Sequence, residues 1–286
     1  MKNQKLFPAL FCAAFTLFFV VSSTAQTQPL LKRVNSKTET ADFGVGGTVT
    51  ITGAPAGSIT VEGWQKNQIE ITTEIEIQGG TEGDLAILSA VSGYIFDVTM
   101  GHASITSVLP DKKSLKLKDK KFNKVLLTMP FRVDYHIKVP RFSDLEINGG
   151  DGDLAISGVD GAMLVKFLKA NAKIELVGGE VSATFGGGTV NVVIPSRAWR
   201  GRSADIQLAG GTMNVQLPVS LNADVDGTIL RTGKIETTYT EFKQRERNLP
   251  FTDKSVVAKT GTGGIPLKFT VGDGTLNFLE TKKAGQ

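Results

Sequence analysis

The feature that most constrains this chain is short apolar alternation, punctuated by glycine at a nearly constant interval, between residues 144 and 218. Leu145/Ile147, Leu154/Ile156, Met163/Val165, Ile174/Leu176, Val181/Ala183 and Val190/Val192 each set two apolar side chains on one face of an extended segment. Their first members follow one another at short, nearly even steps, close to nine positions each. Between them stand Gly149-Gly150-Asp151-Gly152, Gly158-Val159-Asp160-Gly161, Gly178-Gly179 and Gly186-Gly187-Gly188. The pattern returns in Ile206/Leu208, Gly210-Gly211 and Met213/Val215/Leu217, and once more in Leu267/Phe269/Val271, Gly272-Asp273-Gly274 and Leu276/Phe278. Recurrence of this kind marks a repeat architecture.

A strand of four or five residues cannot bury enough surface by itself, and a lone two-stranded hairpin is marginal in water. Stacked coils remove the difficulty, because each lays its Leu, Ile and Val side chains on those of the next, about 4.8 Å away. Glycine suits the corners of such coils, where backbone with positive φ is needed, and a neighbouring Asp can bond the local backbone. The expected fold is therefore all-β: a single-domain β-solenoid, parallel β-helix-like, over residues 41–280. An antiparallel β-sandwich is the alternative, since turn signals at short regular spacing also describe that class.

The upstream half carries the same period of two. Strands are expected at 48–52 and 58–63, around a turn at Ala54-Pro55-Ala56-Gly57. Ile69, Ile71, Thr73, Ile75 and Ile77 alternate with Glu70, Thr72, Glu74 and Glu76; Tyr94, Phe96 and Val98 continue the period, as do Val133, Tyr135, Ile137 and Val139 before Pro140. Helical periodicity is almost absent. Residues 162–172, rich in Met, Leu and Phe, are the best helix candidate, but their brackets are strand-like and they are read as strand. That stretch lacks turn glycine, and residues 194–205 form a longer connection, so uniform coils are not expected at either place.

Lys2 and Lys5, an apolar run from Leu6 to Val21, and Ser23-Thr24-Ala25 before Gln26 compose a secretory leader over residues 1–25. The apolar run is shorter than the roughly 20 residues that span a bilayer, and no later run is longer, so no transmembrane span is expected in the mature chain. Cys12 follows Phe11 in mid-run, which does not suit lipidation. Residues 26–40 read as a flexible polar lead and 281–286 as a polar tail. The protein is expected to be exported, to the periplasm, the cell surface or beyond.

Charge and cysteine count narrow the function. Loss of Lys2 and Lys5 with the leader lowers the net charge from +4 to +2, which gives no general reason for a nucleic-acid partner. The one Cys lies in the leader, so the mature chain has neither disulfides nor thiolate metal sites. No nucleophile elbow, zinc-protease helix, paired Cys motif or phosphate-binding loop is present, and no cofactor or metal is expected. His136 lies on a polar strand face, and His102 reads as a loop residue. Gly149-Gly150-Asp151-Gly152-Asp153 resembles a single imperfect calcium repeat, for which ordinary turn chemistry is the better account. Asp151, Asp153 and Asp160 with Lys166 or Lys169 are what a carbohydrate-active β-helix enzyme would use, although their order matches no signature. The chain is read as no enzyme, with that lyase or hydrolase as the alternative.

Two basic features remain. Lys112, Lys113, Lys116, Lys118, Lys120, Lys121 and Lys124 crowd the single stretch 112–124, with Leu115 and Leu117 between them. They suit a solvated hairpin or edge strand whose lysines block edge-to-edge pairing. They also suit a docking patch for an anionic envelope polysaccharide or another envelope protein. Arg197, Arg200 and Arg202 around Trp199 form a second candidate contact surface, or a loop cap on the core. Lys243 to Arg247 reads as a solvated connection.

Tyr135-His136-Ile137-Lys138-Val139-Pro140, Leu145-Glu146-Ile147, Gly152-Asp153-Leu154-Ala155-Ile156-Ser157-Gly158-Val159 and Asp160-Gly161 resemble the bacterial adhesin-like domain family of unknown function, the DUF4097 type. The likeness is clearest over residues 133–218. It implies an exported β-helix-like domain with no established enzymatic activity, and the adhesin label of that family is itself an analogy.

Overall fold

The computed structural model of the chain describes residues 29–195, 199–219 and 221–281. The leader expected over residues 1–25 and the tail beyond Thr281 lie outside these. Among the described residues, seventeen strands join into one mixed sheet, accompanied by two helices and one 3₁₀ turn. The chain is all-β in its body.

The first strands follow the period-two reading closely. They are β1 (Leu31–Asp42), β2 (Thr48–Thr52), β3 (Ile59–Trp64) and β4 (Gln68–Gly79). In β4 the side chains of Ile69, Ile71, Thr73 and Ile77 are buried while Glu74 is exposed, as alternation requires. Residues 31–40 of the polar lead belong to β1, which runs antiparallel to β4 along its whole length. Backbone pairing needs no apolar side chain, so a polar segment can close a sheet edge, and its Lys32 and Arg33 pair with Glu76 and Glu82.

After β4 the chain forms helix α1 (Glu82–Val91), the hairpin of β5 (Gly93–Thr99) and β6 (His102–Val108), helix α2 (Lys112–Lys118) and a 3₁₀ turn at Lys124–Thr128. It returns as β7 (Phe131–Pro140), antiparallel to β4 and parallel to β3. Helix α1 departs from the expectation of strand throughout. The Thr81 hydroxyl accepts from the Asp84 amide at 3.1 Å, and Leu85 and Leu88, three apart, are both buried.

The next strands are β8 (Asp144–Ser157), β9 (Met163–Glu175), β10 (Glu180–Phe185), β11 (Gly188–Val193) and β12 (Ser203–Leu217). Every ladder they make is parallel. Residues 162–172 accordingly lie in or beside β9 and not in a helix. An excursion through β13 (Ala223–Ile229), β14 (Gly233–Thr237), β15 (Lys243–Gln244) and β16 (Ser255–Thr260) precedes β17 (Pro266–Glu280), which lies parallel to β12, β13 and β14.

The ladder register explains the repeat. Leu145 lies beside Met163, Met163 beside Val181, Val181 beside Ala204, and Ala204 beside Leu267. Nine residues further along each pass, Leu154, Ala172, Val190, Met213 and Leu276 form a second column. All ten side chains are at most 2% exposed and belong to one core. The nine-residue interval is thus half of the structural period, and successive passes are offset by twice that interval, from Leu145 to Met163 and again to Val181. The pair read as Ile174/Leu176 is in register one step earlier, at Ala172/Ile174, because a small Ala occupies the first core position.

Glycine does not serve mainly as a break between strands, as the spacing suggested. β8, β12 and β17 run 14, 15 and 15 residues straight through their glycines. Gly152, Ala170, Gly188, Gly211, Gly274 and Gly233 are register neighbours in one column across the passes. A Cβ at Gly211 would lie 2.0 Å from the Gly188 carbonyl oxygen, and one at Gly274 would lie 1.8 Å from that of Gly211. Their φ values, +132° and +139°, are also ones that L side chains rarely adopt. Close approach of stacked backbones and conformation together require glycine there.

Candidate functional site

The lysine-rich segment is where charge concentrates, and it is a helix followed by a 3₁₀ turn, not the hairpin or edge strand expected from Leu115 and Leu117. The reason is tertiary. Leu115 and Leu126 are buried with Ile77, Leu85 and Leu88 in a small core of their own, flanked by Phe122, Met129 and Phe131. In a strand, Leu115 and Leu117 would share a face, whereas in α2 Leu115 points inward and Leu117 stands 79% exposed.

Short polar side chains set the ends of these turns. One Asp111 carboxylate oxygen accepts from the Lys113 and Ser114 amides at 2.6 and 2.9 Å, while the Asp111 amide donates to the Ser114 hydroxyl at 3.2 Å. The Ser114 and Lys113 amides hold the Asp111 carboxyl below its usual range. The Asp119 amide closes α2 on the Leu115 carbonyl, and the Asp119 carboxylate accepts from the Lys121 amide at 2.9 Å. Asn123 caps the 3₁₀ turn by accepting from the Val125 amide at 3.0 Å.

Lys112, Lys113, Lys116, Lys118, Lys120, Lys121 and Lys124 are all exposed. The carboxylates in their own segment, Asp111 and Asp119, are engaged by backbone amides. None of the seven lysines enters an ion pair among the described residues, in contrast to Lys32, Lys37, Lys138, Lys234 and Lys268 elsewhere. Lys112, Lys113, Lys116 and Leu117 line an open depression of about 410 Å³.

The second basic candidate is divided by the structure. Arg197 lies outside the described residues. Trp199 is buried in the main core, its ring so close to Gly201 that a Cβ there would come within 1.8 Å of it. It is therefore a core side chain and not a contact surface, and its indole Nε1–H is buried without a hydrogen-bond partner among the described residues. Arg200 and Arg202 are exposed on the connection between β11 and β12, and the Arg202 amide donates to the Gly179 carbonyl at 2.6 Å. Among the described residues no hydrogen bond or ion pair joins them to the lysine segment.

Of the residues considered for chemistry, Asp151 and Asp153 lie two apart on β8, in register with Lys169 and Asn171 of β9, and Asp160 lies beyond the end of β8. Asp153 accepts from Asn171 at 3.2 Å, Asp160 faces Arg141 at 3.7 Å, and Lys166 and Lys169 are exposed. Gly149 to Asp153 lie inside β8, and among the described residues no group of three or more His, Cys, Asp or Glu is placed to hold a metal ion. His136 is exposed on β7, its Nε2 3.4 Å from Glu62, and His102 opens β6 where a loop residue was expected. Arg245, within the segment read as a solvated connection, reaches Asp226 at 2.7 Å.

One polar row escaped the sequence reading. Asn191, Asn214 and Asn277 are register neighbours, and each later amide donates to the preceding Oδ1 at 2.8 Å. The signal was there in Thr189-Val190-Asn191, Thr212-Met213-Asn214 and Thr275-Leu276-Asn277, which repeat Thr-apolar-Asn after the glycines. At one end of the row the Asn191 amide donates to the Ala172 carbonyl at 3.4 Å.

No family model matches the chain. No curated protein matches it either. Among solved structures it is similar to a candidate cell adhesion protein from Clostridium sporogenes, at 14% identity and a TM-score of 0.46, covering 87% of this chain and 100% of that one. It is similar also to a candidate adhesin from Bacteroides fragilis, at 12% identity and a TM-score of 0.35 over 86% and 97% of the two chains. A third, named as a candidate lipid-binding protein from Parabacteroides distasonis, has 13% identity and a TM-score of 0.24 over 87% and 97%. At such identities and scores the chain is assigned to no family.

Proposed function

We propose that this protein is an exported, adhesin-like binding module of the bacterial envelope, with a β-solenoid body that holds a cationic face toward an anionic partner. The observation that carries the reading is the set of seven exposed lysines, without carboxylate partners among the described residues, on helix α2 and the turns that follow it, anchored by their own small core. Like charges crowded on one surface repel, and an anionic ligand relieves that repulsion while gaining several contacts at once.

The solenoid reading is supported by in-register parallel stacking from β8 to β12 and by two core columns nine residues apart. Membership of the family resembled by residues 133–218 is part of the same proposal, and so is export, which rests on the composition of residues 1–25. No helix among the described residues is long and apolar enough to cross a membrane. Asp153 and Asp160 face Asn171 and Arg141, and no reaction is proposed for them.

The test uses the chain from Gln26 onward with lipopolysaccharide and with a soluble acidic polysaccharide, at low and high salt. Capture is expected at low salt, weakening as salt rises, and it should be lost on joint Lys112→Glu, Lys113→Glu, Lys116→Glu and Lys120→Glu substitution. Capture unaffected by that substitution would remove the assignment to this face.

A further inference from the structure

We propose that the anionic partner of the lysine face is a lipid leaflet, entered by Leu117, Val125 and Leu127. The inference rests on the binding function proposed above and names its ligand class. Charge alone does not separate an acidic polymer from a membrane, but exposed apolar side chains do. Leu117 is 79%, Val125 50% and Leu127 41% exposed, all in or directly beside the stretch that holds the seven lysines. A hydrated polysaccharide offers these side chains only the small C–H patches of its sugar rings and no continuous apolar phase. A bilayer interface takes apolar groups about 5–10 Å deep while lysines stay at the anionic headgroups.

The geometry suits that mode. Leu115 and Leu126 enter the same small core, so the opposite sides of α2 and of the 3₁₀ turn both face away from it. Leu117 lies with Lys112, Lys113 and Lys116 around one depression. Lysine stems can lie along an apolar surface while their ammonium groups reach the headgroups. The Asp111, Asp119 and Asn123 caps hold these turns before any ligand arrives, so binding orders little backbone. Leu164 and Leu168 on β9 are also exposed beside lysines, but their register neighbours include Glu146, and Asp151 lies beside Lys169. Carboxylates there would oppose an anionic leaflet.

The experiment is co-sedimentation of the chain from Gln26 onward with phosphatidylcholine vesicles made with or without phosphatidylglycerol, alongside a soluble acidic polysaccharide. Sedimentation is expected only with phosphatidylglycerol, each lysine near the leaflet contributing about fivefold in affinity at low salt. Joint Leu117→Ser, Val125→Ser and Leu127→Ser substitution should lower vesicle binding by at least about tenfold and leave polysaccharide binding intact. Leu117→Asp alone, at the most exposed of the three, repeats the test with the least risk to the fold. Polysaccharide capture without vesicle binding, or vesicle binding insensitive to these changes, overturns the lipid inference while the lysine face stands. Failure to bind either ligand overturns both.

Discussion

Asn214 donates its side-chain amide to the Oδ1 of Asn191 at 2.8 Å, joining strands whose partnered residues lie 23 positions apart in sequence. Asn277 makes the same bond to Asn214, again at 2.8 Å. Asn214→Ala would leave one acceptor and one donor of this half-buried row without partners. A loss of about 1–2 kcal/mol is expected in urea unfolding. An unchanged midpoint would mean that water replaces the row at no cost.

The glycine column gives a sharper contrast between neighbours. Gly211→Ala places a Cβ 2.0 Å from the Gly188 carbonyl oxygen at φ +132°, and at least about 3 kcal/mol of stability should be lost. Gly210→Ala meets nothing closer than 3.9 Å and should change stability by less than about 1 kcal/mol. Equal thermal shifts for the two variants would refute stacking as the reason for glycine.

Acid stability should report on the glycine-flanked middle of β17. Asp273 lies well below the usual carboxylate range, first because of Arg231 and then through the Thr232 hydroxyl and amide. A depressed folded pKa contributes stability above the unfolded value near 3.9, and that contribution fades as pH falls below it. Asp273→Asn should therefore melt at a lower temperature than wild type at neutral pH, with the gap narrowing below about pH 4. A gap of constant size across that range would argue against the pair.

Alkaline titration reads the core. The chain has three tyrosines, and burial raises all of them: Tyr94, which also donates to Glu39, Tyr135, pushed up to about 12, and Tyr239. A raised folded pKa stabilises the native state below the unfolded value near 10, and the gain is lost as pH climbs past it. Near-ultraviolet absorbance should show little phenolate at about pH 10 in the native protein and roughly half ionisation in urea. Native phenolate at that pH would place at least one of the rings in water.

Much of the strand content was legible because burial of one face imposes a period of two, and Ile69 to Ile77 or Val133 to Val139 could hardly satisfy it otherwise. The candidate site was legible only as a count of lysines. Leu115 and Leu117 fit alternation as well as they fit a helix, and so short a segment holds too little local preference to decide. Helix α1 was missed for a similar reason, although Thr81 three places before Asp84 is a helix-start signal.

The sequence by itself determined which side chains go inside: the apolar pairs at 145, 154, 163, 181 and 190 are buried as their alternation demands. Only the tertiary structure decided that two such pairs make one pass, that Leu145 meets Met163 on the next pass, and that Trp199 fills the core. Alternation is a property of one strand, set by its pleat. Partner choice, register and the small core that makes α2 a helix depend on surfaces brought together from distant parts of the chain, where burial outweighs local preference.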